Sequence, residues 1–286
     1  MRWQEGRESD NVDDQRGVSG PAMAIGGFGT LVVVVLGLLF GADPAQLLRQ
    51  VQQQGNPGPG AGGGGGPRGP VSPEDQQMKK FVSRILADTE DVWTDIFQQE
   101  GRQYVRPKLV MYSGRTQSAC GTAEAAVGPF YCPGDQEVYL DTSFFQLMAE
   151  KFQESGDFAR AYVIAHEIGH HVQKLRGDSN RIDAARGRVS KTELNRLSVQ
   201  LELQADFYAG VWANQINKKR SVLEAGDVEG AMHAASKIGD DALQKQAQGY
   251  VVPDSFTHGT SAQRMYWFRK GLETGDVRQG DTTQSR

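Results

Sequence analysis

Histidine and cysteine are both scarce here, with five His and two Cys among 286 residues. Two cysteines, Cys120 and Cys132, are a poor metal site, because thiolate ligation wants more ligands at closer spacing. Surplus positive charge is also missing: 31 Lys and Arg face 35 Asp and Glu, for a formal net charge of −4. That balance excludes nucleic acid as the main partner. No internal repeat is present. Charge of either sign is absent from Gly17 to Ala42.

The charge-free stretch centres on "AMAIGGFGTLVVVVLGLLFG", Ala22–Gly41. As a helix it would be about 30 Å long, the thickness of a bilayer's hydrocarbon core. A buried core helix usually keeps a polar face, and this one has none. A signal peptide is the rival reading. Its leading region would be unusually long and acidic, and "FGAD" is a poor cleavage site. The sequence therefore predicts a retained transmembrane helix at 21–42. Arg2, Arg7 and Arg16 precede it and only Arg49 follows closely, which places the N-terminus inside and the rest of the chain outside. Residues 1–20 then form a cytoplasmic tail. Residues 43–73 are too rich in glycine and proline to bury a core and read as a disordered linker. Residues 74–286 make one compact domain. It opens on an amphipathic helix marked by Phe81, Ile85, Val92 and Ile96. On the outer side of a membrane, Cys120 and Cys132 could close a disulfide.

Three of the five histidines fall within "AYVIAHEIGHHVQKLRG", Ala161–Gly177. Asp157 is a candidate N-cap, Gly177 a candidate stop, and the apolar positions between them recur at helical spacing. On that helix His166 and His170 are four residues apart, so both can reach one ion. Glu167 lies beside that face, within reach of a water on the metal. His171 is about 100° further round and cannot share the metal face; it reads as a surface or locally packed residue. His233 reads as a helix-face residue without a chemical role.

A catalytic zinc wants a third protein ligand and one open position. "KTELNRLSVQLELQADFYAGVWANQI" supplies candidates. Ser190 and Glu193 have capping-box spacing at the start of a second long helix. Glu202 is the best third ligand, with Glu193 its competitor. Asp206, one turn on, can hold the outer nitrogen of His166.

HEIGHH followed by "LELQADFYAGVWA" resembles the gluzincin type of zinc metallopeptidase. With "CGTAEAAVGPFYCPGDQEVYLD", "EAGDVEGAMHAASKIGDDALQ" and "FTHGTSAQRMYWFRKGLETGD", the chain is similar to the bacterial "putative neutral zinc metallopeptidase" family, whose members are commonly membrane-anchored. The resemblance implies a mostly helical, zincin-like α+β fold with a small sheet or edge hairpin. It also implies one Zn2+ held by His166, His170 and Glu202, with Glu167 as general base acting on a peptide or protein substrate. The implied location is the bacterial cytoplasmic membrane. A second oxyanion donor is expected, and His258 in "FTHGTSAQR" is the candidate, with capping or packing as its bland alternative. Tyr162 and Tyr208 are fallbacks. "TAEAAVGPFY", "CPGD" and "EVYLD" read as a hairpin, either an edge for substrate pairing or an ordinary structural one. The competing functional class is a proteolytically silent, membrane-tethered zinc scaffold.

Overall fold

The computed structural model describes residues 1–16, 72–124, 128–152, 156–237 and 239–283. Among these the fold is α+β, mostly helical with a small sheet, as the sequence implies. In chain order the elements are β1 (Val12–Asp14), α1 (Pro73–Gln99), β2 (Lys108–Tyr112), β3 (Arg115–Ser118), β4 (Gly121–Glu124), β5 (Phe130–Cys132) and β6 (Glu137–Asp141). They are followed by α2 (Ser143–Phe152), α3 (Asp157–Arg176), α4 (Asn180–Ala185), α5 (Lys191–Arg220), α6 (Asp227–Lys237), α7 (Asp240–Gln248) and α8 (Ser261–Thr274).

The main sheet has the order β1-β2-β6-β5. β1, β2 and β6 run parallel, while β5 pairs antiparallel with β6 as an edge strand. The expected hairpin is therefore present across the "CPGD" turn. Its upstream part, β4, pairs with β3 in a separate two-stranded sheet.

The core forms around α5. From Leu203 to Ala213 every residue of this helix is buried, so no polar face remains over three turns. Two glycines let α8 lie directly on it. A Cβ on Gly210 would come within 2.1 Å of the Phe268 carbonyl, and one on Gly271 within 2.0 Å of the Phe207 carbonyl. Side chains larger than hydrogen would push these backbones apart. α3 packs on another side of α5, with Gly169 opposite Ala205, where an added Cβ would sit 3.0 Å from backbone atoms.

Helix ends show local sequence logic with two departures. Ser190 caps α5 by accepting from the Glu193 N–H, but the Glu193 carboxylate turns to Arg196 at 2.6 Å and leaves the capping box half made. α3 stops at Gly177 in the left-handed conformation. Its N-cap is Gly156, not Asp157. The Asp157 carboxylate instead accepts from Trp3 Nε1 at 2.8 Å. The connection between α3 and α5 carries the short exposed helix α4.

The larger correction concerns the N-terminus. Residues 1–16 are not a tail apart from the 74–286 domain, because β1 is a strand of its sheet and Trp3 is buried against Phe81. Residue alternation alone does not reveal this, since three of the last residues before Arg16 are acidic or amide-bearing and the strand is three residues long. The expected span at 21–42 and most of the 43–73 linker lie outside the described residues. Ser72 and Pro73 belong to α1, as N-cap and first residue. No helix among the described residues is long and apolar enough to cross a membrane.

Candidate metal centre

α3 and α5 meet at Gly169 and Ala205, and this close approach brings the two halves of the site together. His166 and His170 come from one turn of α3, with their rings 4.9 Å apart and perpendicular. Glu202 comes from α5. Its Oε2 is 3.2 Å from His166 Nε2 and its Oε1 is 3.4 Å from His170 Nε2. One ligand atom from each of the three residues lies within 4.8 Å of the others. Two imidazole nitrogens and one carboxylate oxygen with an open fourth position match a catalytic zinc. The donor set therefore fits the ion that the sequence implies. Glu193, the competing ligand, lies elsewhere on the surface with Arg196.

The outer nitrogens are held as firmly. His166 Nδ1 is 2.8 Å from Asp206 Oδ1. Asp206 is fully buried and also accepts from Tyr162 Oη at 2.5 Å and from Arg264, Nε at 2.8 Å and Nη2 at 2.9 Å. His170 Nδ1 donates to Gln173 Oε1 at 2.9 Å, and the Gln173 amide donates to the Leu201 carbonyl and to Gln204. Fixing the second nitrogen sets which nitrogen faces the metal and strengthens it as a ligand. The Asp206 contact follows the sequence expectation. The partners Tyr162, Gln173 and Arg264 were not assigned these contacts from sequence. Gln173, at i+3 from His170, was the one with a local signal.

Burial dominates the electrostatics, yet the charges outweigh it. Burial opposes a charge on His166, but Asp206 and Glu202 raise its pKa to about 10. Burial also works against ionised Asp206, while Arg264 and His166 hold it at about 2. Glu202 is likewise held well below the usual carboxylate range by His170 and His166.

Glu167 is nearly buried on the same turn. Burial raises its pKa above the ordinary carboxylate value, with the imidazoles opposing. The nearby Tyr131 backbone also opposes that rise. His171 is completely buried, which corrects the expectation of a surface place and keeps that of local packing. Its Nε2 donates to the Val105 carbonyl at 2.7 Å, leaving Nδ1 to accept from Tyr131 Oη at 3.1 Å. It ties β5 to α3 and takes no part in the ligand set. Cys132, the last residue of β5, is disulfide-bonded to Cys120.

His258 lies just before α8 with its side chain about one-third exposed. Its Nδ1 is 3.2 Å from Asp240 Oδ1. The other Asp240 oxygen accepts the backbone N–H groups of Thr257, His258 and Gly259 at 2.7, 2.6 and 3.0 Å. Burial opposes charge on His258, but Asp240 and Glu202 raise its pKa, so the ring stands within electrostatic reach of the ligand carboxylate. The fallback donors are engaged elsewhere: Tyr162 on Asp206, Tyr208 on Asp178 at 2.9 Å.

Comparison with known proteins agrees with this chemistry. The family model described as "Putative neutral zinc metallopeptidase" matches residues 1–283, and the chain belongs to that family. It is 47% identical over 294 residues to "Uncharacterized protein YpfJ" of Escherichia coli (strain K12), covering 99% of this chain and 98% of the relative. It is 43% identical over 190 residues to "Uncharacterized protein Rv2575" of Mycobacterium tuberculosis (strain ATCC 25618 / H37Rv), covering 63% of each. No solved structure matches the chain.

Proposed function

We propose that this member of the zinc metallopeptidase family hydrolyses peptide bonds within peptide or protein substrates, using water as the nucleophile and Glu167 as the general base. The observation that carries the reading is the joint placement of three ligand atoms within 4.8 Å on α3 and α5, with the buried Glu167 carboxylate next to His166 on α3. A zinc ion in that cage supplies Lewis acidity, lowering the pKa of water to about 7 and polarising the substrate carbonyl.

The chain's own residues do the rest. Glu167 takes the proton of the attacking water, and its raised pKa brings it nearer the operating pH of a base. It then hands the proton to the departing amine. His258, whose Nδ1 lies 3.0 Å from Thr257 Oγ1 and 3.2 Å from Asp240 Oδ1, serves through Nε2 as the donor to the developing oxyanion. β5 offers its free edge to an extended substrate, whose main chain adds as a strand. The Cys120–Cys132 bond and the His171–Tyr131 contact stiffen that edge.

Glu167→Ala tests the reading. The variant should keep about one zinc per chain and lose about 10²–10⁴-fold in turnover of a general peptide substrate. Undiminished cleavage by the variant would remove Glu167 from the mechanism. Retained zinc with no chelator-sensitive cleavage in the parent would instead favour a silent zinc scaffold.

A further inference from the structure

The first sixteen residues are fastened to the domain at several independent points. β1 pairs with β2 in register, Val12 with Leu109 through Asp14 with Met111. Trp3 meets Phe81 edge-on at 5.2 Å and donates to Asp157. The Ser9 N–H donates to the Ser83 carbonyl at 3.1 Å, and Ser83 Oγ returns a bond to the Ser9 carbonyl at 2.9 Å.

Glu90 on α1 adds a further point of attachment. It is completely buried, and its carboxylate accepts from Arg7, Ser9 and Asn11, each at 2.6 Å. The nearest cation from the rest of the domain is Arg106, 4.0 Å away and half-exposed. With residues 1–16 elsewhere, the Glu90 carboxylate would exchange these three donors for water and lose the charge-assisted bonds that hold the strand in place.

The chain also leaves and returns at one place. The Arg16 guanidinium, 5% exposed, pairs with Asp14 and reaches α1, where it meets Asp75 Oδ1 at 3.1 Å and the Asp75 carbonyl at 2.9 Å. Ser72 caps that same turn. Residue 16 and residue 72 thus flank the intervening stretch from one spot on the domain surface. A single bilayer crossing between them would put the two flanks on opposite sides, about 30 Å of hydrocarbon apart. A strand cannot pair across that distance.

We infer that residues 1–16 and the metal-site domain occupy the same side of a lipid bilayer. This replaces the topology of an inner N-terminus and an outer domain. It does not depend on the peptidase reading, since none of the residues used belongs to the metal centre.

Vesicle labelling of the full-length protein decides the matter. Single cysteines are introduced at exposed positions, Asp10→Cys in one variant and Lys245→Cys in another, with the Cys120–Cys132 pair kept. Sealed membrane vesicles of both orientations are treated with an impermeant maleimide. The protein should sediment with the vesicles, and both positions should react in the same orientation. Reaction of the two positions in opposite orientations, or a protein that remains free of the vesicles, overturns the inference. A second variant, Glu8→Cys with Arg84→Cys, replaces a surface pair whose side chains approach to 3.4 Å. A short bifunctional maleimide should link the two positions in the membrane-held protein. Absence of that link, in protein that still binds zinc, would show residues 1–16 undocked and sink the proposal.

Discussion

Asp206 and Glu90 are both fully buried carboxylates, and each gathers three donor side chains from distant parts of the chain. They do different work. Around Asp206 the donors are His166, Tyr162 and Arg264, all themselves buried, and the product is an imidazole held in one orientation for a metal. Around Glu90 the donors are Arg7, Ser9 and Asn11, and the product is an N-terminal strand held against its sheet. Burying a charge is costly in either place. The comparison teaches that a satisfied buried carboxylate marks a position that must not move, without saying whether the reason is chemical or topological. Only the identity of the donors tells the two apart.

The strongest way to test the contrast is Asp206→Ala. It leaves the Arg264 guanidinium buried without its partner and should cost about 3–5 kcal/mol in denaturant unfolding. The same change should weaken zinc binding about 10–100-fold in chelator competition. If zinc affinity is unchanged, Asp206 is structural only and the two carboxylates are alike.

Gly271→Ala should come next. Its new methyl would meet the Phe207 carbonyl, and parting α5 from α8 should cost about 1–3 kcal/mol by overpacking. Zinc affinity should fall too, because Arg264 on α8 would draw back from Asp206. Unchanged affinity alongside a lower unfolding midpoint would show that Arg264 does not act through Asp206.

Glu90→Gln keeps the shape and removes the charge. It should cost about 1.5–3 kcal/mol, the worth of hydrogen bonds to a charged group, while zinc affinity stays at the parent value. A fall in zinc affinity would couple the two regions and end the distinction between them.

The smallest effect should be at Asp240, whose pKa is lowered because His258 and the backbone N–H groups outweigh its burial. A carboxylate with a depressed folded pKa contributes stability above its unfolded value near 3.8, and that contribution is lost as pH falls through the lower folded value. The stability gap between the parent and Asp240→Asn should therefore close at strongly acid pH, and should also shrink as pH rises through the raised pKa of His258, whose charge Asp240 supports. A gap that does not change with pH would mean that the carboxylate's charge contributes nothing.

How far the two regions were legible differs for a physical reason. The metal centre is written in spacings: His166 and His170 are four positions apart, as are Glu202 and Asp206, which fixes each pair on one helical face wherever the helices go. The same local logic gave the Ser190 cap and the Gly177 stop. Glu90 carries no such pattern, since it sits among Asp88 and Asp91 in what reads as a solvated acidic face. Its donors lie more than seventy residues upstream. The N-terminal residues looked like a polar tail because their burial is of charged and amide groups, whose partners sequence does not reveal. Asp157 misled for the same reason: it stands where a helix begins, yet Trp3 claims its carboxylate.

Helical periodicity and short-range spacing alone therefore determined that this chain could present two imidazoles and two carboxylates at helical registers suited to zinc. Strand patterning and turn residues added a hairpin ahead of the HEIGHH helix, while the mostly helical fold came from the family resemblance. Tertiary structure alone decided which surfaces met. It laid Gly169 on Ala205 and Gly210 on Phe268, brought Arg264 and Tyr162 onto Asp206, and folded residues 1–16 back over Glu90. Spacing is a property of one helix, whereas the satisfaction of a buried charge depends on segments that only folding brings together.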